Sequence, residues 1–353
     1  MTSEPREAYV PVFYRPVSEE QPPTDGRTPS VTIVTPLYRA GKHLDSMFEQ
    51  LDSLDFRDFE VILYLDGPDS ESEAAIRAKV TTYPVFVIAG DSQVGAGEAR
   101  NRALQFAEGH YIWFIDADDR WPSSALSHLH TAATEYSADL VIGGATRRIV
   151  RSGEVERVRI PEAKLLNQDE LFRELLLGNV EGYLWNKLIR RSIVGADPFP
   201  RIRTKSDYCG VIAICSEVSL AVTVTDNVYE YLFQPGSVSS ASIATPLDTF
   251  RVLEAAERAT EGSSATMSEK WLLTAFAVSF VARVSFAEVW RYGDKALGGK
   301  LATAYCRGLL DLRALTRLAI AGRFGLAAQG FGFRFAAKPM RAIYLKRRSQ
   351  RWK

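Results

Sequence analysis

The feature that most constrains this chain is an alternation that begins at Ser30. Short apolar runs, rich in β-branched residues, take turns with stretches of helical periodicity. Residues 31–35 (VTIVT) form the first run, and Pro36 closes it. Leu44, Met47, Phe48 and Leu51 then recur at helical spacing. Residues 59–65 (FEVILYL) are a second buried run, ending in the turn sequence Asp66, Gly67, Pro68, Asp69. A polar helix is expected over 72–79, a third strand over 85–88, and a helix over 99–107 opened by Gly95, Ala96 and Gly97. Residues 111–115 (YIWFI) form the fourth strand, cut off by Asp116, Ala117, Asp118 and Asp119. Strands that alternate with helices imply βαβ units and a mostly parallel sheet.

Such sheets bind ligands at the carboxyl ends of their strands. Each unusual polar cluster falls at such an end: 36–39, 66–70, 91–97 and 116–119. Further along come a helix from about 126, a strand over 140–144, a charged hairpin over 147–160 and an amphipathic helix over 169–177. Residues 246–320 are Ala- and Leu-rich with helical periodicity, which places a domain boundary near 245. Residues 1–29 are rich in Pro, Glu and Thr and read as an extended arm, either docked through Tyr9, Val10, Phe13 and Tyr14 or unstructured. The division is therefore an arm (1–29), an α/β domain (30–245) and a helical C-terminal region (246–353).

Asp116, Asp118 and Asp119 crowd three carboxylates into four residues. Like charges that close repel, and a cation relieves the repulsion. Carboxylate oxygens suit Mg²⁺ or Mn²⁺, which keep positions open for phosphate oxygens. An N-cap ahead of Trp121 and Pro122 is the other use of these residues.

At this point the residues resemble glycosyltransferase family 2. The resemblance rests on Val31 to Tyr38, Asp66 to Ser70, Gly97 to Leu104, Gly109 to Ile112 and Ile115 to Asp119, in that order. It continues with Trp185 to Arg191, and closes on Tyr229, Glu230, Tyr231 with Gly236, Ser237, Val238 and Ser239. It covers about residues 30–243. The resemblance implies the GT-A (nucleotide-diphospho-sugar transferase) fold, a Rossmann-like mixed sheet, here with a C-terminal helical region. It implies an inverting, metal-dependent transfer of a sugar from a nucleotide-sugar donor to a hydroxyl of a glycan or lipid-linked acceptor, in surface polysaccharide or glycoconjugate synthesis. Carried over by position, Pro36 and Tyr38 line the nucleotide base and Asp66 contacts it. Arg100 and Asn101 border the nucleotide and support the metal loop. Asp116 faces the ribose or sugar, and Asp118 binds Mn²⁺ or Mg²⁺ and through it the diphosphate. Asp207 is the catalytic base, and Trp185, Asn186 and Lys187 lie on the acceptor side. The chain departs from the family pattern at Leu65, Arg39 and Ser206, where an Asp, an Asn and the Glu of a Glu-Asp pair are usual. Leu65 and Arg39 leave the nucleotide open. Ser206 and Leu65 leave room for a non-catalytic glycan-binding or assembly protein on the same fold. A nucleotidyltransferase is the other rival, but residues 36–42 (PLYRAGK) are a poor phosphate loop for it.

Composition sorts the partners. Lys+Arg and Asp+Glu both number 43, so a generic polyanion binder, and with it nucleic acid, is disfavoured. The balance is uneven along the chain. Residues 312–353 carry eleven Lys and Arg and no Asp or Glu, interleaved with six aromatics. That stretch suits contact with an anionic membrane surface; a solvated tail or contacts within a homo-oligomer are the alternatives. The apolar run starting at Trp271 reaches only about 12 residues before Arg283, too short for a bilayer span. No apolar leader is visible at the N-terminus and the three cysteines read as reduced core residues, so a cytoplasmic protein is expected, with peripheral contact at the inner face of the membrane.

Overall fold

The computed structural model describes residues 9–14, 28–158, 160, 162, 164–233, 246–261, 270–293, 296 and 298–351, without the side chains of 347–351. The segment 236–239, part of the family resemblance, lies outside the described residues. The chain divides into two compact units.

The first unit comprises residues up to 168, with 182–202 and 206–233. It is built on one mixed sheet. The strands are β1 (Val12–Tyr14), β2 (Val31–Leu37), β3 (Phe59–Leu65), β4 (Val85–Ala89), β5 (Tyr111–Phe114), β6 (Leu140–Ile149), β7 (Val155–Arg157), β8 (Leu165–Asn167), β9 (Lys187–Arg190) and β10 (Leu220–Phe233). They lie in the order β1-β4-β3-β2-β5-β9-β6-β10-β8, with β7 on the side of β6. From β1 to β5 all pairs are parallel. β9 is antiparallel to both its neighbours, β5 and β6. All of β3 is buried, and β2 nearly so, which explains why these strands read as unbroken apolar runs rather than alternating ones.

Helices α1 (Gly41–Ser53), α2 (Ser70–Arg77), α3 (Ala96–Leu104) and α4 (Ala125–Glu135) follow strands β2 to β5 in turn. The buried side of α1 is Leu44, Met47, Phe48 and Leu51, the four residues whose spacing marked it. The N-terminal arm docks: β1 extends the sheet at β4, and Tyr9 bridges to Thr81. The Arg77 guanidinium lies 3.7 Å from the centre of the Phe13 ring. β6 and β7 form the charged hairpin expected around Ser152 and Gly153.

The second unit comprises 169–181, 203–205 and the residues from 234 on. It contains most of α5 (Gln168–Leu176), then α7 (Asp248–Thr260). A continuous helix, Trp271–Tyr292, follows and is labelled α8; a wide π turn occupies Ala277–Ala282. Next come α9 (Gly299–Leu309), α10 (Leu312–Ile320), α11 (Phe324–Phe335) and α12 (Ala337–Arg351). α6 (Ser206–Cys215) belongs to the first unit. The apolar run at Trp271 does not end at Arg283, because the guanidinium bonds the Ser279 carbonyl and the helix continues. At 22 residues and a mean hydropathy of 1.6, α8 is long and apolar enough to cross a membrane; half of that window is buried within the structure, as in the core helix of a bundle.

Candidate functional site

The rim where β2, β3 and β5 end carries Pro36, Tyr38, Asp66, Asp116 and Asp118 of the expected site residues. β2 and β3 run in register through Pro36 opposite Tyr64 and Leu37 opposite Leu65. Pro36 is half-buried, while Tyr38 is 44% exposed. Arg39 sits at φ 50, the left-handed region, with its guanidinium 5.3 Å from the Tyr38 ring centre. Asp66 is buried, and its carboxylate accepts bonds from the backbone amides of Val94 (2.6 Å) and Gly95 (3.0 Å). It thereby holds the loop that leads into α3. Two of its four acceptor positions stay open.

α3 works as a keystone between this rim and α6. Arg100 is buried and its Nη2 donates to Asp116 Oδ1 at 3.0 Å. Its Nε is buried with no partner among the described residues. Asn101 clips the loop before α6: its Nδ2 donates to the Phe199 carbonyl (2.8 Å) and its Oδ1 accepts from the Phe199 amide (3.1 Å). Glu98, which the sequence did not single out, holds both Arg201 nitrogens (2.6 and 2.9 Å) and Arg102 (3.0 Å). Burial works against its charge, and the two guanidiniums overcome that, keeping its carboxyl below the ordinary range. The side chains of Arg100 and Asn101 are thus engaged within the protein and position the rim.

The three clustered aspartates have separate roles. Asp119 is buried and tied to β10: its oxygens accept from the Tyr229 hydroxyl (3.0 Å) and the Leu232 amide (2.8 Å). Tyr229 Oη also accepts from the Asp116 amide at 3.0 Å, so one hydroxyl fixes two of the aspartates. Burial, aided by the charge of Asp116, pushes the Asp119 carboxyl up to about 9. Asp116 and Asp118 remain partly exposed at the rim. Burial and the nearby Asp116 raise the Asp118 carboxyl as well; His43 and Lys42, from the first turn of α1, oppose that rise. His43, to which the sequence gave no chemistry, therefore faces the cluster. Burial lowers its own basicity, and Asp118 works against that.

Hard oxygen donors fit a divalent cation; Asp116 already has the Arg100 guanidinium as a counter-charge, which leaves Asp118 the freer of the two. Among the described residues no three His, Cys, Asp or Glu side chains converge on one metal position. A divalent cation bound at this rim would find its carboxylate donors in Asp118 and Asp116, too few to fill its shell without further oxygen ligands.

Asp207 stands in the first turn of α6. Its carboxyl is raised by burial, lowered by the Arg100 guanidinium and raised again by Asp116, so the three groups share one electrostatic neighbourhood. The adjacent Ser206 packs on α3: a Cβ placed on Gly97 lies 2.9 Å from Ser206 Cβ and 3.0 Å from the Pro200 carbonyl. The chain can approach this closely only because residue 97 has no side chain and residue 206 a small one.

The segment expected on the acceptor side is a buried wedge. Trp185 is 6% exposed and stacks on Tyr183 (4.7 Å between centroids), Tyr229 (4.8 Å) and Tyr231 (6.0 Å). Its carbonyl accepts from Trp113 Nε1 at 2.8 Å. Asn186 bonds the Gly143 carbonyl (2.9 Å), and Lys187, 1% exposed, donates to the Tyr183 carbonyl (2.6 Å) and to Asn186 Oδ1 (3.0 Å). These residues knit β9 between β5 and β6. Trp185 has its ring in a tyrosine stack and does not offer it to a sugar.

The profile described as glycosyl transferase family 2 matches residues 32–196, from the first core strand to the end of the β9 segment. Residues 32–196 are a glycosyltransferase family 2 domain. The chain is 23% identical over 232 residues to the putative teichuronic acid biosynthesis glycosyltransferase TuaG of Bacillus subtilis, covering 65% of this chain and 89% of that protein. It is 28% identical over 172 residues to the putative glycosyltransferase EpsH of the same organism, covering 48% of this chain but only 49% of EpsH. Among solved structures, Staphylococcus aureus TarS 1–349 in complex with UDP-GlcNAc superposes with a TM-score of 0.63 at 18% identity, over 86% of this chain and 91% of that one. The mannosyltransferase PcManGT from Pyrobaculum calidifontis, in complex with GDP-Man and Mn²⁺, gives 0.53 at 16% identity, over 92% and 88%. At these identities the structures establish the GT-A fold with C-terminal helices.

Proposed function

We propose that this family 2 glycosyltransferase moves a sugar, with inversion at the anomeric carbon, from a nucleotide-diphosphate donor to a hydroxyl acceptor in the synthesis of a surface polysaccharide in the cytoplasm. One observation carries the reading: β5 and α6 bring Asp116 and Asp207 into the field of a single buried guanidinium, that of Arg100, beside the partly exposed Asp118. Two carboxylates with different surroundings suit different tasks. Asp116, fixed by Arg100 and by its amide bond to Tyr229, positions the donor sugar. Asp207, which burial makes a stronger base than an ordinary carboxylate, takes the acceptor proton as the hydroxyl attacks in line. Pro36, Tyr38 and Asp66 line the base. Asp118 holds Mn²⁺ or Mg²⁺, which when bound supplies positive charge to the departing diphosphate. TarS with UDP-GlcNAc and PcManGT with GDP-Man and Mn²⁺ support a nucleotide-sugar donor and a divalent ion, and TuaG supports a polysaccharide product. The acceptor is a glycan or lipid-linked glycan.

The test is release of nucleoside diphosphate from UDP-, GDP-, CDP- and dTDP-sugars, with and without Mn²⁺. One donor should be hydrolysed slowly in a Mn²⁺-dependent way, and Asp118→Ala should abolish this. Glycan binding without turnover of any donor, unchanged by Asp118→Ala, would leave a binding protein on a transferase fold.

A further inference from the structure

Helix α11 buries one side and exposes phenylalanines on the other. Phe333 is 2% exposed and stacks on Phe286 at 5.0 Å; Gly330 is buried beside it. Phe324, Phe331 and Phe335 are 70%, 52% and 53% exposed. Their spacing of seven and four residues places them on a single stripe of the helix. Phe331 and Phe335 touch, with centroids 4.8 Å apart. The helix is held with that stripe outward, because Phe333, on its opposite side, packs on Phe286 and Trp290 of α8; Tyr344 of α12 packs on the same Trp290. Ile320 (82% exposed) and Ile343 (55%) extend the apolar surface from α10 and α12. Cations are exposed on the neighbouring helices and the turn between α10 and α11: Arg313, Arg317, Arg323, Lys338 and Arg341, with the Arg323 guanidinium 4.9 Å from the Trp271 ring centre.

Exposed aromatic side chains fixed on a folded helix mark a surface that meets something. Charge identifies what. From Leu312 to the end of the sequence there are eleven Lys and Arg and no carboxylate, so the first 311 residues carry a formal excess of eleven negative charges. A second copy using the same patch would set cation against cation, because a two-fold interface pairs a surface with itself. A bilayer rich in anionic phospholipid answers both features: its headgroups take the cations and its acyl boundary takes the phenyl rings. We infer that the α10–α12 face docks peripherally on an anionic phospholipid membrane, seating Phe324, Phe331 and Phe335 at the interface. This docking does not depend on the transferase reading.

The experiment is flotation of the full chain with vesicles of phosphatidylcholine alone, or with 30% phosphatidylglycerol added. Binding should require the anionic lipid and weaken with salt. Phe331→Ser combined with Phe335→Ser should lower the partition coefficient at least tenfold. Each of Arg317→Gln and Arg341→Gln should lower it about fivefold, the ratio that corresponds to roughly 1 kcal/mol per cation. Circular dichroism and donor hydrolysis of these surface variants should match the parent, which separates docking from folding and from catalysis. Equal binding to neutral vesicles, or no binding to either, overturns the inference. So does a concentration-dependent oligomer in ultracentrifugation that the double Phe variant abolishes, or binding to single-stranded RNA that the same variant removes while vesicle binding is absent.

Discussion

Asp207 has two influences against its ionisation, burial and Asp116, and Arg100 on its side. As the base it must be ionised, so activity is lost as pH falls through its pKa, which lies above the ordinary carboxylate value near 3.9. Arg100→Gln removes the supporting charge and should move the acid limb of the kcat–pH profile further up. A limb that stays put in this variant would dissociate Asp207 from that limb. Asp207→Asn should lower kcat by about 10²- to 10⁴-fold and leave the donor Kd unchanged, since the residue acts on the acceptor proton. Arg39 offers a stability prediction at the same scale. It occupies a left-handed backbone conformation that costs a non-glycine residue about 1–2 kcal/mol and that Asn tolerates. Arg39→Asn should therefore stabilise the fold by a few tenths to about 1 kcal/mol, after loss of the contact with Tyr38, as read from urea midpoints. The family's usual Asn at this position is thus a backbone requirement that Arg here meets under strain. The aspartate cluster was legible because three carboxylates end an apolar strand. Their division of labour was not, since Asp119 is claimed by Tyr229, 110 positions away in sequence.

Elements explain the residues that the sequence placed but whose roles it could not assign. Helix α1 could be read from its periodicity and strand β3 from its seven-residue buried run bounded by turn residues, because one helix face and every residue of the strand are buried. β9 could not: four residues are too few to show a period, and its burial comes from β5 and β6 on either side. Trp185 therefore reads equally well as a sugar platform or as a core residue, and the tyrosine stack decides for the core. Trp185→Ala should cost about 3–5 kcal/mol of stability, as large buried aromatics do. Any loss of activity should then track the unfolded fraction seen by near-UV circular dichroism, rather than appear as a raised KM in fully folded protein. The contact of α3 with α6 is as demanding. Gly97→Ala must push Ser206 and the Pro200 carbonyl aside, which should cost about 1–3 kcal/mol. Because α3 carries Arg100 and α6 carries Asp207, that variant should also lower kcat at temperatures where it remains folded. Stability and kcat both unchanged would mean that α3 can retreat without disturbing the two groups.

At the scale of the whole chain, two compact units with opposite charge biases are averaged into a formal net charge of zero. Composition therefore described neither unit, whereas the order of motifs along the first 233 residues described one of them well. That order works because a parallel sheet brings successive strand ends to one rim whatever lies between them. The helices of the second unit carry no such rule, and their packing through Phe286, Trp290 and Phe333 rests on contacts that periodicity does not specify. If the rim is the donor site, donor binding should be felt locally. A nucleotide-sugar at a hundred times its Kd, with Mn²⁺, should stabilise the native state by about 2.7 kcal/mol and raise the melting temperature accordingly. Hydrogen exchange should then slow at 36–39, 91–97 and 116–119, because those loops hold their shape through few contacts of their own: Asp66 fixes one of them and Tyr229 another. Exchange in α9 to α11 serves as the control. A thermal shift with no slowing at 116–119 would place the donor elsewhere, and would remove the argument that the aspartates at the end of β5 exist to hold it.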